Sequence, residues 1–152
     1  MLLKRGLWLG KGSLLTEGAS IGEPLVCDIE IVEDEGGFTI TGDVWAADRP
    51  PGDVSIRIAP NEVGTYTMDV RAAGAALDGI AKMESEPNLG LLWNEAGTQS
   101  ATYALFALRE GYGFRGFARM GERTVTWEIA FALKQQAVGG ANVVSLKPRR
   151  RR

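Results

Sequence analysis

The stretch that decides the fold is Arg123–Leu133, RTVTWEIAFAL, in which a large apolar residue occupies every second position. The apolar members are Val125, Trp127, Ile129, Phe131 and Leu133. A period of two places successive side chains on opposite faces of a β-strand. The stretch therefore predicts a strand with one buried face and one face toward solvent.

Similar patterns recur toward the N-terminus, separated by short segments rich in Gly, Pro, Asn, Asp and Glu. They predict nine further strands, over residues 5–16, 24–33, 38–44, 54–58, 65–71, 77–84, 89–94, 100–108 and 112–120. Connections of about 2–7 residues are too short for parallel crossovers, so each strand must pair antiparallel with its predecessor. Residues 72–77 could instead form one turn of helix, and residues 134–144 show no clear pattern.

The predicted fold class is all-β, an antiparallel up-and-down meander of about ten strands. An open sheet of this size would leave two free edges and one uncovered apolar face, and no segment predicts a helix long enough to cover it. The sheet should therefore close into a barrel, with a folded-over sandwich as the second choice. We assign residues 1–136 to this barrel domain and residues 137–152 to a flexible basic tail.

Composition and charge limit the functional classes. Five of the 17 basic residues lie within 147–152, which leaves 12 against 19 acidic residues in the body, a formal charge of −7. An acidic body argues against nucleic-acid binding by the folded domain. We expect no membrane association of the domain and a cytoplasmic location, because the chain has one cysteine and no apolar leader. The tail, Arg149–Arg152, is interpreted as solvated, with RNA, acidic lipid or an acidic protein as alternative partners.

The opening Gly6-Leu7-Trp8, followed by Gly10 and Gly12, resembles the first strand of the calycin barrels, the lipocalin, fatty-acid-binding and nitrobindin-like group. The resemblance implies that the tryptophan plugs one end of the barrel. It also implies an arginine late in the barrel against that tryptophan, for which Arg119 and Arg123 are the candidates. Two features differ from the group: the chain has no histidine to hold haem, and residues 17–23 are too few for a helical lid.

Catalytic and metal chemistry find little support in the residues. The absence of histidine removes Ser-His-Asp and Cys-His nucleophiles and the usual zinc ligand sets. Cys27 shares the apolar face of its strand and is predicted to be a buried, inert thiol. The acidic run 33–35 is interpreted as a hairpin tip rather than a cation site. We therefore predict no catalytic residue, no metal site and no cofactor.

The remaining prediction is that the barrel binds a small hydrophobic or amphipathic molecule in its interior. Ten strands make a wider barrel than eight, with room for a cavity. The candidate ligand-binding residues are the large apolar side chains expected to point inward. They are Phe38, Ile40, Ile56, Tyr66, Met68, Tyr112, Phe114, Trp127 and Phe131.

Two alternatives remain open. A small barrel-type lyase or isomerase could use a buried carboxylate such as Glu128, with Tyr103 or Arg115 as its acid–base partner. An oligomeric structural module without a small ligand is the other, because both faces of 101–108 are apolar and such a strand should be covered on both sides. This second alternative predicts a homodimer.

Overall fold

The computed structural model describes residues 2–46 and 49–134. It contains ten β-strands, and their order along the chain is also their order in space. The strands are β1 Gly6–Thr16, β2 Glu23–Asp34, β3 Gly37–Ala46, β4 Gly52–Pro60, β5 Tyr66–Ala72, β6 Ala75–Lys82, β7 Asn88–Trp93, β8 Gln99–Leu108, β9 Gly111–Met120 and β10 Arg123–Leu133. The all-β meander predicted from the sequence is confirmed.

The sheet closes on itself because β1 pairs antiparallel with both β2 and β10. The closing ladder joins β1 and β10 over nine residue pairs, from Trp8 opposite Leu133 to Thr16 opposite Val125. Full closure removes the free edges that ten strands would otherwise expose. The sequence allowed a barrel or a folded-over sandwich, and the structure is a barrel.

Alternation along each strand separates an apolar interior from an outer face. In β7 the six residues Asn88–Trp93 alternate strictly between buried and exposed. In β5, Met68 and Val70 are buried, whereas Asp69 and Arg71 are exposed and form a salt bridge at 2.6 Å. The hydrophobic pattern therefore fixes the register, since a slip of one residue would turn the apolar set outward.

The turn between β5 and β6 corrects one expectation. Residues 72–77, offered as a possible helical turn, instead form a two-residue hairpin loop and the start of β6. Ala73 and Gly74 have φ values of 50° and 85°. Two successive positive φ angles match the turn whose twist fits a right-handed hairpin, so the chain reverses without a helix.

The barrel has two ends, which we name by their contents. The Trp8 end carries residues 2–5, the start of β1 and the end of β10. The opposite end carries the β1–β2, β3–β4, β5–β6, β7–β8 and β9–β10 connections. The predicted basic tail, residues 137–152, lies outside the described residues.

Candidate functional site: the barrel interior

The Trp8 end is sealed by aromatic packing and by the N-terminal segment. Trp8 is 5% exposed, and its ring lies 4.6 Å from that of Tyr112. The indole Nε1 donates to the carbonyl of Lys4 at 2.9 Å, and the Tyr112 hydroxyl donates to the carbonyl of Leu2. Leu3 packs on the same cluster. The plug implied by the Gly6-Leu7-Trp8 motif is therefore present in the structure.

The arginine implied by the resemblance does not reach this plug. Leu133, at the end of β10, lies opposite Trp8, whereas Arg123 begins the same strand ten residues earlier. At about 3.3 Å per residue the separation is roughly 33 Å. Arg119 lies beside Thr124 at the opposite end, and its Nε donates to the carbonyl of Gly121 at 3.2 Å. Both candidate positions were wrong, and Tyr112 stacks on the tryptophan instead.

All nine candidate ligand-binding side chains belong to, or pack against, the interior clusters. Phe38, Ile40, Met68 and Tyr112 are buried, whereas Ile56, Tyr66, Phe114, Trp127 and Phe131 are partly exposed. The ring of Phe114 lies 5.7 Å from Trp127 and 6.4 Å from Phe131, so β9 and β10 share one aromatic wall. Tyr66 differs from the rest, because its hydroxyl donates outward to Glu84 at 2.5 Å. That carboxylate raises the pKa of Tyr66.

Three interior aromatic rings lie against a glycine of the neighbouring strand. A Cβ atom at Gly10 would come within 2.5 Å of the Phe131 ring, one at Gly90 within 2.1 Å of Tyr103, and one at Gly116 within 2.5 Å of Trp127. Each pair lies directly opposite in the strand register. Rings in this position cover the wall of a barrel in place of the missing side chain. Because these rings lie on the wall, they fill less of the central space of the barrel than rings that point toward its axis.

The buried side chains form two separate clusters. The larger one includes the Trp8 end and the walls from β4 to β9. The smaller one consists of Leu25, Cys27, Ala46 and Ile129. The side chains that contact both clusters, all of them partly exposed, are Ile29, Phe114, Trp127 and Phe131. These four side chains connect the two clusters, and none of them is fully covered by the packing around it.

Two hydrogen-bond donors inside the barrel lack a good acceptor. The Tyr103 hydroxyl donates to the thioether sulfur of Met68 at 3.1 Å, and sulfur of this kind is a weak acceptor. The Trp127 Nε1 is buried without a partner among the described residues. Both rings flank Phe114, at 5.3 and 5.7 Å. Burial raises the pKa of Tyr103 to about 12, so its hydroxyl stays protonated at neutral pH.

Charged groups are confined to the rims and the outer face. Between the rims, no described inward position carries a charged side chain, and Asn88 is the one buried polar residue among those described. At the opposite end, Glu23 lies beside Leu14 and pairs with Arg49 at 2.8 Å. An ionised ligand group deep in the interior would therefore lack a countercharge there.

The acid–base alternative placed its carboxylate on the wrong face. Glu128 lies on the outer face of β10, with 68% of its side chain exposed, and faces Arg115 at 3.8 Å. Tyr103 points into the barrel, so the wall of the sheet separates it from Glu128. This constellation cannot supply a buried general acid or base.

Cys27 is buried and the acidic run 33–35 lies at the β2–β3 hairpin, as the sequence predicted. Cys27 is 4% exposed, and burial raises the pKa of its thiol to about 11. Asp34 precedes the hairpin turn and pairs with Arg57 at 3.1 Å. Within residues 2–46 and 49–134, no group of three or more His, Cys, Asp or Glu side chains is arranged to hold a metal ion.

Two grooves on the outer wall are open to solvent. One, of about 670 Å³, runs over the outer faces of β4 to β6 beside Arg57, Asp69 and Arg71. The other, of about 220 Å³, lies between Phe106 and Glu128. Of the charged side chains that line the larger groove, Arg57 pairs with Asp34 and Arg71 with Asp69, whereas Asp53 forms no salt bridge with a described residue.

Comparisons with protein-family models, curated proteins and solved structures find no match to this chain. Among the described residues, no helix has the length and hydropathy needed to cross a bilayer.

Proposed function

We propose that this protein binds a small, electrically neutral, hydrophobic or amphipathic molecule inside its barrel, in the manner of the calycin group. The observation that carries the proposal is the partial exposure of inward side chains in the middle of the barrel. Ile29, Ile56, Tyr103 and Phe114 are all partly exposed although the sheet is closed around them. Apolar surface left without a partner inside a protein favours the uptake of an apolar guest.

The arrangement of the two ends supports entry from the side opposite Trp8. The three most deeply buried side chains, Ile58, Met83 and Asn88, lie toward the Trp8 end, where the N-terminal segment also packs. Five inward side chains at the opposite rim are partly exposed, whereas Leu25 and Ala46 at the same rim are buried. The five are Leu14, Val44, Ala72, Met120 and Val125. A ligand would therefore enter past this rim.

The interior donors specify the polar part of the ligand. Tyr103 and Trp127 offer an O–H and an N–H beside Phe114, and neither has a strong acceptor within the described chain. A ketone, ester, ether or alcohol oxygen would satisfy one of them. A carboxylate would lose its hydration without gaining a countercharge, which costs several kcal/mol or shifts its pKa. The expected ligand is thus neutral, with an apolar body and an oxygen acceptor.

A fluorescence titration with N-phenyl-1-naphthylamine, a neutral dye that emits strongly in apolar surroundings, tests whether the interior binds. The wild type should enhance the dye emission with saturation. Ile29→Trp, on the inner face of β2, should reduce the affinity at least about tenfold by filling the space. Val32→Trp, on the outer face of the same strand, is the matched control and should bind as the wild type does. Absence of saturable binding by the folded wild type, or equal binding by both variants, would contradict the proposal.

Competition for the dye then tests the ligand class. Undecan-2-one should displace it at a lower concentration than undecanoate does. Tyr103→Phe removes one donor and should weaken displacement by the ketone about 2- to 13-fold, the value of a typical hydrogen bond, while leaving the dye affinity unchanged. Stronger displacement by undecanoate would reject the neutral class while leaving interior binding intact.

A further inference from the structure

The outer wall of the barrel carries an exposed apolar surface that the interior site does not use. Its members, which we call the outer strip, are Ile80 on β6, Leu89, Leu91 and Trp93 on β7, and Phe117 on β9. They are 45, 44, 50, 44 and 48% exposed. Every outward position of β7 is therefore apolar, whereas β5 carries Asp69 and Arg71 outward. Contiguous apolar surface of this kind marks an interaction site more often than chance exposure does.

The strand register makes the strip one continuous surface. Ile80 lies opposite Leu91, Leu91 opposite Thr102 on β8, and Thr102 opposite Phe117. The outward residues of β8 between them, Thr102 and Ala104, are uncharged and partly exposed. The strip thus crosses four strands without a charged side chain in its central row.

Opposite charges stand at its two margins. In the next row, Asp78 on β6 lies beside Trp93, Trp93 beside Ser100, and Ser100 beside Arg119 on β9. Asp78 forms no salt bridge with any described residue, and Arg119 contacts a backbone carbonyl. Each of these two charged side chains lies on the second strand from the boundary between β7 and β8, Asp78 on one side and Arg119 on the other.

This placement of charge is self-complementary. A two-fold axis in the plane of contact, parallel to the strands and between β7 and β8, sets each β6 against β9 of the second copy. Asp78 then faces Arg119 of the second copy on both sides of the axis. Ile80 faces Phe117 of the second copy in the central row. Aligned sheets pack face to face in this way about 10 Å apart.

In the third row, two positively charged side chains would face each other across the axis, and each already has contacts within its own chain. Lys82 would face Arg115 of the second copy. The Lys82 ammonium donates to the carbonyls of Ser85 and Pro87 at 2.7 Å each. Arg115 lies over the Phe106 ring at 5.4 Å and near Glu128 at 3.8 Å. These contacts hold both cations beside the chain's own acceptors, so their mutual repulsion across the axis is reduced.

From the outer strip and its two charged margins, we propose that the protein forms a symmetric homodimer in which the outer faces of β6 to β9 of two copies pack together. The surface lies outside the barrel wall, so the proposal does not depend on ligand binding in the interior. It assigns the strip a partner, a second copy of this chain, on the basis of charge complementarity about one axis.

Sedimentation velocity at low salt, over about 1 to 200 μM protein, tests the proposal. The wild type should convert from monomer to dimer across this range. Leu91→Lys, at the centre of the strip, should remain monomeric throughout. Val63→Lys replaces a residue that is 81% exposed in the β4–β5 connection and should dimerise as the wild type does. Circular dichroism verifies that both variants keep the β-sheet spectrum.

Charge exchange tests the assigned geometry. Asp78→Arg and Arg119→Asp should each weaken dimerisation about tenfold by placing like charges together, and the double exchange should restore it to within about threefold. A wild type that stays monomeric at all concentrations would overturn the proposal, as would a double exchange without recovery. Monomeric wild type that pellets with phosphatidylcholine vesicles would show that a lipid surface, rather than a second copy, covers the strip.

Discussion

Replacement of Trp8 tests the plug most directly. Trp8→Ala removes a side chain that is 5% exposed, its contact with the Tyr112 ring, and its hydrogen bond to the carbonyl of Lys4. Truncation of a buried tryptophan costs about 3–5 kcal/mol of unfolding free energy. Loss of this much from a domain of ordinary stability, about 5–15 kcal/mol, would leave a visibly weakened barrel.

A second variant at the same position separates packing from hydrogen bonding. Trp8→Phe keeps an aromatic ring against Tyr112 but loses the indole N–H. We expect it to cost about 1–2 kcal/mol, the sum of one hydrogen bond and a small loss of buried surface. Leu7→Ala is the control on the same strand, because Leu7 faces outward and is 42% exposed. Its cost should stay below about 1 kcal/mol.

Urea unfolding followed by far-UV circular dichroism measures all three variants on one scale. The expected order of destabilisation is Trp8→Ala, then Trp8→Phe, then Leu7→Ala, with similar slopes against urea concentration. If Trp8→Ala cost no more than Leu7→Ala, the Trp8 end would not be sealed by this residue. If Trp8→Phe cost as much as Trp8→Ala, the hydrogen bond to Lys4 would outweigh the packing.

Two further predictions follow from buried titratable groups. Burial raises the pKa of Cys27 to about 11, so at pH 8 the folded protein should react with Ellman's reagent at least about a hundredfold more slowly than the urea-unfolded chain; equal rates would place the thiol at the surface. Burial also raises the pKa values of Tyr103 and Tyr112 to about 12, above the ordinary 10. Their contribution to stability is complete below pH 10 and is lost as the pH rises through 12, so the urea midpoint should fall across that interval. The double variant Tyr103→Phe, Tyr112→Phe should show a shallower fall, and an unchanged slope would contradict the assignment.

The strands could be predicted where apolar and polar residues contrast. Strand β10, Arg123–Leu133, was predicted with both of its boundaries because its alternation is unbroken. The start of β6 was missed, since Ala75 and Ala76 give no hydrophobic contrast and the turn before them depends on the φ angles of Ala73 and Gly74. Local pattern thus predicted the meander, and the short connections then required it to run antiparallel.

The interior could be predicted in part. Period two put the nine candidate side chains on the apolar faces of their strands, and the structure turns those faces inward. The pattern did not distinguish the two faces of β8, which are both apolar, so Tyr103 was missing from the candidate ligand-binding set. The pairing of Tyr103 with Gly90 depends on the register between β7 and β8, which is a long-range property. The prediction of an arginine beside Trp8 was wrong for the same reason. The pairing of β1 with β10 determines which residues lie near Trp8, and the motif contains no information about that pairing.

The rings that rest on glycines have a consequence for how this chain can change over generations. At Gly10 with Phe131, Gly90 with Tyr103, and Gly116 with Trp127, two strands share the volume of a single side chain. An alanine at Gly90 has no room while Tyr103 keeps its ring, and a smaller residue at position 103 would leave a gap above the glycine. We therefore expect that in homologous chains the glycine and the aromatic residue of each pair change together. The sizes of the residues found at these paired sites would then indicate how wide the barrel of each homologue is.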